Sequence, residues 1–185
     1  MLRLSLALSL LPLFTLGCAH AGPILTGPTV ELALDSGHPE ERPLTPAKPF
    51  ELLMRMDPAM PAYLPRRLRL LLAQPGHLVL TLYATTPEGQ PGAPLLTLDR
   101  HYDAAFTSTG KDGKWIVERL ALPVERAPIW VGLSSPGDDG GDVRLWASSN
   151  DSGSVFARDP DPATPLSAGK QPRTPMVRLE VSPAP

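Results

Sequence analysis

The chain has 185 residues, with 17 Lys and Arg against 19 Asp and Glu, for a formal net charge of −2. That length suits one domain able to bury a core, and the balance offers nucleic acid no basic stripe, Arg66-Arg67 with Arg69 being too short a run. Cys18 is the only cysteine, so no disulfide can form within the chain and the fold must rest on packing.

In chain order, Arg3 supplies a positive start and Leu4 to Leu16 an almost unbroken apolar run. The run is too short to span a bilayer as a mature helix, and Pro12 with the lack of a polar face speaks against a core helix. It reads as an export signal. Thr15-Leu16-Gly17-Cys18 follows and resembles the lipobox of bacterial lipoproteins, in which a small residue precedes a cysteine that is lipidated and becomes the new N-terminus. Thr15 departs from the Leu preferred there. The resemblance implies a signal peptide over 1–17, a palmitate-bearing Cys18, a tether over 18–28 and attachment to the membrane through the lipid. Ala19, rather than Asp, after the cysteine implies the outer membrane. A second cleavage signal, Ala19-His20-Ala21, fits the A-x-A rule and would instead release a soluble periplasmic or secreted protein.

From residue 29 onward short alternating segments recur. Val30, Leu32 and Leu34 alternate with polar or small residues; Phe50 to Met56 is apolar; Leu68 to Leu72 and Leu78 to Tyr83 flank Gln74-Pro75-Gly76-His77 like the arms of a hairpin. Leu95 to Leu98, Trp115 to Leu122, Ile129 to Leu133, Val143 to Ala147 and Met176 to Val181 complete the set, with Arg66 to Gln74 also open to a short helix. The 24 Pro and 15 Gly would suit disorder if scattered, but they cluster between the apolar runs as turn and edge punctuation. Period-two alternation bounded by such residues predicts an all-β fold, an antiparallel β-sandwich or jelly roll of about eight or nine strands over 29–181, with 182–185 a free end. The apolar strand Leu68 to Leu72, Gln74-Pro75-Gly76, Leu78 to Tyr83 and Ile129-Trp130-Val131-Gly132-Leu133 together resemble secreted bacterial β-sandwich domains of the pre-peptidase C-terminal kind. That resemblance covers Tyr63 to Leu133 and implies a non-catalytic accessory module.

Chemistry-bearing motifs are sparse. H-E-x-x-H, G-x-S-x-G and a phosphate-binding glycine loop are absent. Ser167-Ala168-Gly169-Lys170 matches S-x-x-K, but Pro165 and Pro172 bracket it and no K-T-G or S-D-N accompanies it, so coincidence is the better account. His20, His38, His77 and His101 share no ligand spacing; His77 reads as a turn residue and His101 with Asp103 as a polar loop pair. Asp138, Asp139 and Asp142 in a Gly-rich loop offer oxygens to calcium, though the same residues serve an ordinary solvated turn. No other cofactor is indicated.

Alternation assigns the remaining candidates. With Ile129, Val131 and Leu133 inward, Trp130 points out; with Val143, Leu145 and Ala147 inward, so does Trp146; with Leu78, Leu80 and Leu82 inward, Tyr83 follows. Three outward aromatics are a candidate stacking platform for an envelope glycan; the competing reading is that loops cover them as ordinary packing. The sequence therefore predicts a non-enzymatic, envelope-anchored binding module, with a structural subunit of an envelope protein assembly as the alternative and a hydrolase behind both. Cys18→Ala is expected to lose metabolic palmitate label and turn soluble after export; a wild-type protein already soluble and beginning at Gly22 would refute the anchor.

Overall fold

Alternation gives each strand one apolar edge, and the fold is what results when those edges are buried against each other. The computed structural model describes residues 28–40, 42–46, 49–136, 142–149, 154–159 and 164–184; Cys18 and the bulk of the expected tether lie outside them. The strands are β1 (Val30–Ala33), β2 (Glu51–Met56), β3 (Tyr63–Leu70), β4 (Leu72–Gln74), β5 (Gly76–Thr85), β6 (Pro91–Tyr102) and β7 (Ile116–Arg119). They continue with β8 (Ile129–Ser134), β9 (Arg144–Leu145), β10 (Ala147–Ser148), β11 (Val155–Arg158), β12 (Thr174–Pro175) and β13 (Val177–Pro183). Two 3₁₀ turns, Ala104–Phe106 and Leu166–Gly169, are the only helical elements among the described residues. The protein is an all-β sandwich.

A four-stranded sheet, β1-β13-β3-β7, faces a five-stranded sheet, β11-β2-β8-β5-β6, and the strands within each pair antiparallel. Leu68, Leu70, Val177, Leu179 and Val181 from the first sheet meet Leu52, Met54, Leu78, Leu80, Leu82, Val131 and Leu133 from the second in one buried cluster. Each such side chain contributes roughly 1.5–3 kcal/mol on leaving water, the term that must carry a fold without cross-links. Ribbons β4-β9 and β10-β12 flank the sandwich. Pro91 and Pro94 are tolerated because β6 is an edge strand, where a missing N–H need not break a ladder.

The outer face of the four-stranded sheet is charged. Arg178 and Arg69 stand directly opposite each other on β13 and β3, a like-charge pair that is unfavourable alone. Glu31 resolves it by accepting from Arg69 at 2.5 Å with one oxygen and from Arg178 at 2.8 Å with the other. Trp115 adds its ring 4.5 Å from the Arg178 guanidinium and 5.1 Å from that of Arg69. Arg178 also donates twice to the fully buried Asp35 carboxylate, and these hydrogen bonds raise the Arg178 pKa above its ordinary value.

Two expectations are corrected. Leu68–Leu72 and Leu78–Tyr83 are not arms of one hairpin: β3 belongs to the four-stranded sheet and β5 to the five-stranded one. Leu70, Leu71 and Leu72 are all buried, so alternation breaks there. Leu71 instead donates its N–H to Met176 and accepts from Trp146, turning the chain from one sheet toward the other. Nor is 182–185 a free end from its first residue. Ser182 is buried within β13, its hydroxyl accepting from Arg66 Nε at 2.6 Å, and the Ala184 N–H donates to Ala62.

Buried phenols tie the layers. Tyr102 of β6 donates to Glu118 of β7 at 2.8 Å, bridging the two sheets at their open edge, and Tyr63 donates to the Ala127 carbonyl at 2.6 Å. Burial pushes both phenols well above the ordinary value of 10.0. Above about pH 10 the unfolded chain therefore releases protons that the folded state retains, so this stability is present below pH 10 and falls as pH rises beyond it. The melting temperature should decline from about pH 10 upward, and Tyr102→Phe should blunt the decline; a melting temperature unchanged across that window would contradict the assignment.

Candidate functional site

The five-stranded sheet turns its second face away from the core, and its residues follow from register alone. Tyr83 stands opposite Trp130, Trp130 opposite Arg55, Thr81 opposite Gly132, Gly132 opposite Leu53, and Leu53 opposite Phe156. Trp130 and Tyr83 thus share the outer face that alternation assigned to them.

Tyr83 is nevertheless not a free platform. Its hydroxyl donates to Glu51 Oε1 at 2.9 Å and accepts from Arg158 at 2.9 Å, while Arg158 also pairs with Glu51 and lays its guanidinium 4.9 Å from the Tyr83 ring. The strap runs from β5 across β8 to β2 and β11. It crosses β8 at Gly132, where a Cβ would come within 2.8 Å of the Tyr83 ring and collide with the Glu51 carboxylate. Burial, followed by the Glu51 carboxylate, raises the Tyr83 pKa. Leu53, paired with Gly132, is fully buried on this face.

Beyond the strap lies a groove of about 290 Å³, lined by Arg55, Trp130, Ser154 and Phe156 from the sheet and by residues of two distant turns. The first turn is Glu88-Gly89-Gln90, closed by Thr86 and Gln90 backbones at 2.8 Å. The second contributes Leu166 and Ser167. It is held against β11 by a Phe156–Lys170 bridge and a Gln171-to-Val155 hydrogen bond, and Gly169 lies so near that a Cβ would sit 2.9 Å from the Ala157 carbonyl carbon. Trp130 and Phe156 have ring centroids 5.9 Å apart. Trp130 is only 3% exposed, and its buried indole N–H has no hydrogen-bond partner among the described residues.

Trp146 does not join this group. It lies between β9 and β10, its indole N–H donating to Ser108 at 2.8 Å and its ring against Gly110. The three aromatics therefore form no shared open platform: Tyr83 is held in the strap, Trp146 lies elsewhere, and Trp130 is buried against Phe156, a residue whose short strand is masked by the Asn, Asp, Ser and Gly around it. Ser167 and Lys170 of the S-x-x-K tetrad sit on and just after a 3₁₀ turn, both exposed. Asp138 and Asp139 lie outside the described residues; Asp142 is exposed and forms a backbone bridge with His77.

His77 is no turn residue. It sits in β5 directly opposite His101 of β6, the rings stacked at 3.9 Å, with His77 Nε2 2.6 Å from Asp99 Oδ1. His101 does not pair with Asp103, whose carboxylate caps the Ala104–Phe106 turn through the Ala105 N–H. His77, Asp99 and His101 are the one group of described residues whose donor atoms converge as metal ligands would. Their spacing is visible only once the β5–β6 register is known.

Comparisons with known protein families, with curated proteins and with solved structures find no match to this chain. Function must be read from these residues. Gly132→Ala should cost roughly 1–3 kcal/mol by overpacking under the strap, and Tyr83→Phe about 1 kcal/mol through its lost hydrogen bonds. Chemical denaturation checks both, and the losses should not add in the double variant, because both break one strap. A neutral Gly132→Ala would show that Tyr83 does not cross there.

Proposed function

We propose that this chain is an exported protein, anchored in the outer membrane through a lipid on Cys18, whose sandwich is a non-catalytic module binding an envelope glycan in the Trp130–Phe156 groove. One observation carries the reading: a concave, aromatic-floored groove with a polar rim of Arg55, Glu88, Gln90, Ser154 and Ser167. The half-buried Phe156 ring, packed against the buried Trp130, offers a flat apolar surface to the C–H face of a sugar, and rim amides, hydroxyls and charges suit its edge. The lipobox-like segment supports the address.

A structural role in an envelope assembly has its own support. Strands β6 and β7 each end a sheet, and the cleft of about 440 Å³ between them carries Phe106 and Val117, 43% and 48% exposed. The two readings part experimentally. Ser167→Trp fills the groove from an exposed turn, and Gln90→Ala removes a rim amide. Both should lower retention on peptidoglycan or envelope polysaccharide about tenfold with the melting curve unchanged, whereas Trp130→Ala should cost roughly 3–5 kcal/mol of stability as well. Wild-type retention by both turn variants would remove the glycan reading and leave the assembly role.

A further inference from the structure

The β5–β6 hairpin holds a constellation that the groove does not use. We propose that His77, Asp99 and His101 form a binding site for a borderline divalent transition-metal ion, with Zn²⁺ as its representative. The register builds it: His77 and His101 are direct cross-strand partners, and Asp99, two residues before His101, shares their face by the period of the strand. The ligand atoms of all three already lie within 4.8 Å of one another, without any rearrangement of backbone.

The donor set selects the ion. Two imidazoles and one carboxylate suit zinc, copper or nickel, whereas calcium asks for six to eight oxygens and finds one carboxylate here. Zinc–ligand bonds of about 2.0–2.2 Å in tetrahedral geometry place the donors roughly 3.3 Å from one another. His77 Nε2 and Asp99 Oδ1, at 2.6 Å, therefore move slightly apart to admit the ion, which takes the place of the proton those atoms share as that proton passes to solvent. Asp99 and His101 are exposed, so their rotamers can adjust, while His77 is the fixed member: 9% exposed, on a strand paired on both sides, with its carbonyl accepting from the Ser135 hydroxyl at 2.9 Å. Three protein ligands leave an open position for water or a further group. Because β6 is an edge strand, an ion shared between Asp99, His101 and His77 clamps that edge to β5.

The test is zinc titration of the full chain, carried as Cys18→Ser to remove the one thiol, followed by competition with a chromophoric chelator and by melting temperature. The expected result is one equivalent of zinc bound with a rise in melting temperature. Affinity should fall about 10–100-fold in Asp99→Ala and in His101→Ala. His38→Ala should bind as the parent does, and calcium should produce neither signal. Because Asp99 and His101 are exposed, these variants keep the fold, and the zinc-free melting curve verifies it. No binding at zinc in tenfold excess, or unchanged affinity in the Asp99→Ala, His101→Ala double variant, overturns the proposal.

Discussion

Every strand of a sandwich has two faces and only one of them can enter the core. With a single cysteine and no cross-link available, this protein must put its leucines, valines and methionines on one face of each principal sheet and hold them there. Everything else follows from what that leaves on the opposite faces. On the four-stranded sheet the outer face carries Glu31, Arg69, Arg178 and Glu180, an ion-paired surface. On the five-stranded sheet it carries Trp130, Phe156, Tyr83 and Leu53, large apolar side chains that are costly to leave in water, beside His77 and His101.

Three arrangements lie along that one face. At its centre the Tyr83–Glu51–Arg158 strap lies over Gly132, so a polar triad closes an apolar patch without a loop. At one end two turns, Thr86–Gln90 and Leu166–Gly169, rise around Trp130 and leave a groove between them. Toward the other end His77, Asp99 and His101 meet, with Asp99 and His101 exposed. A single sheet face thus separates a structural closure, an aromatic cleft and a ligand-like cluster by position alone.

The inward residues were legible because alternation is local: Leu78, Leu80 and Leu82, then Ile129, Val131 and Leu133, then Val143, Leu145 and Ala147 are all buried where the period places them. The outward direction of Trp130 and Tyr83 was legible for the same reason. Their exposure was not, because the turns that flank Trp130 come from about forty residues away on either side, and the acid beneath Tyr83 sits on β2. The His77–His101 pairing is a matter of register across a hairpin, to which sequence spacing is blind. Val155–Arg158 is too short, and too hemmed in by turn formers, to announce a strand, and with it went Phe156.

If the outer face of the five-stranded sheet is the working surface, a bound ligand must touch the two turns that wall its groove. The most direct measurement is photo-crosslinking with a peptidoglycan fragment bearing a short-range reactive group, followed by mapping of the labelled peptides. Label concentrated on Glu88–Gln90 and Leu166–Ser167, and competed away by unlabelled fragment, is the result this account predicts. Competable label on the β6–β7 edge, or on the charged face of the four-stranded sheet, would contradict it.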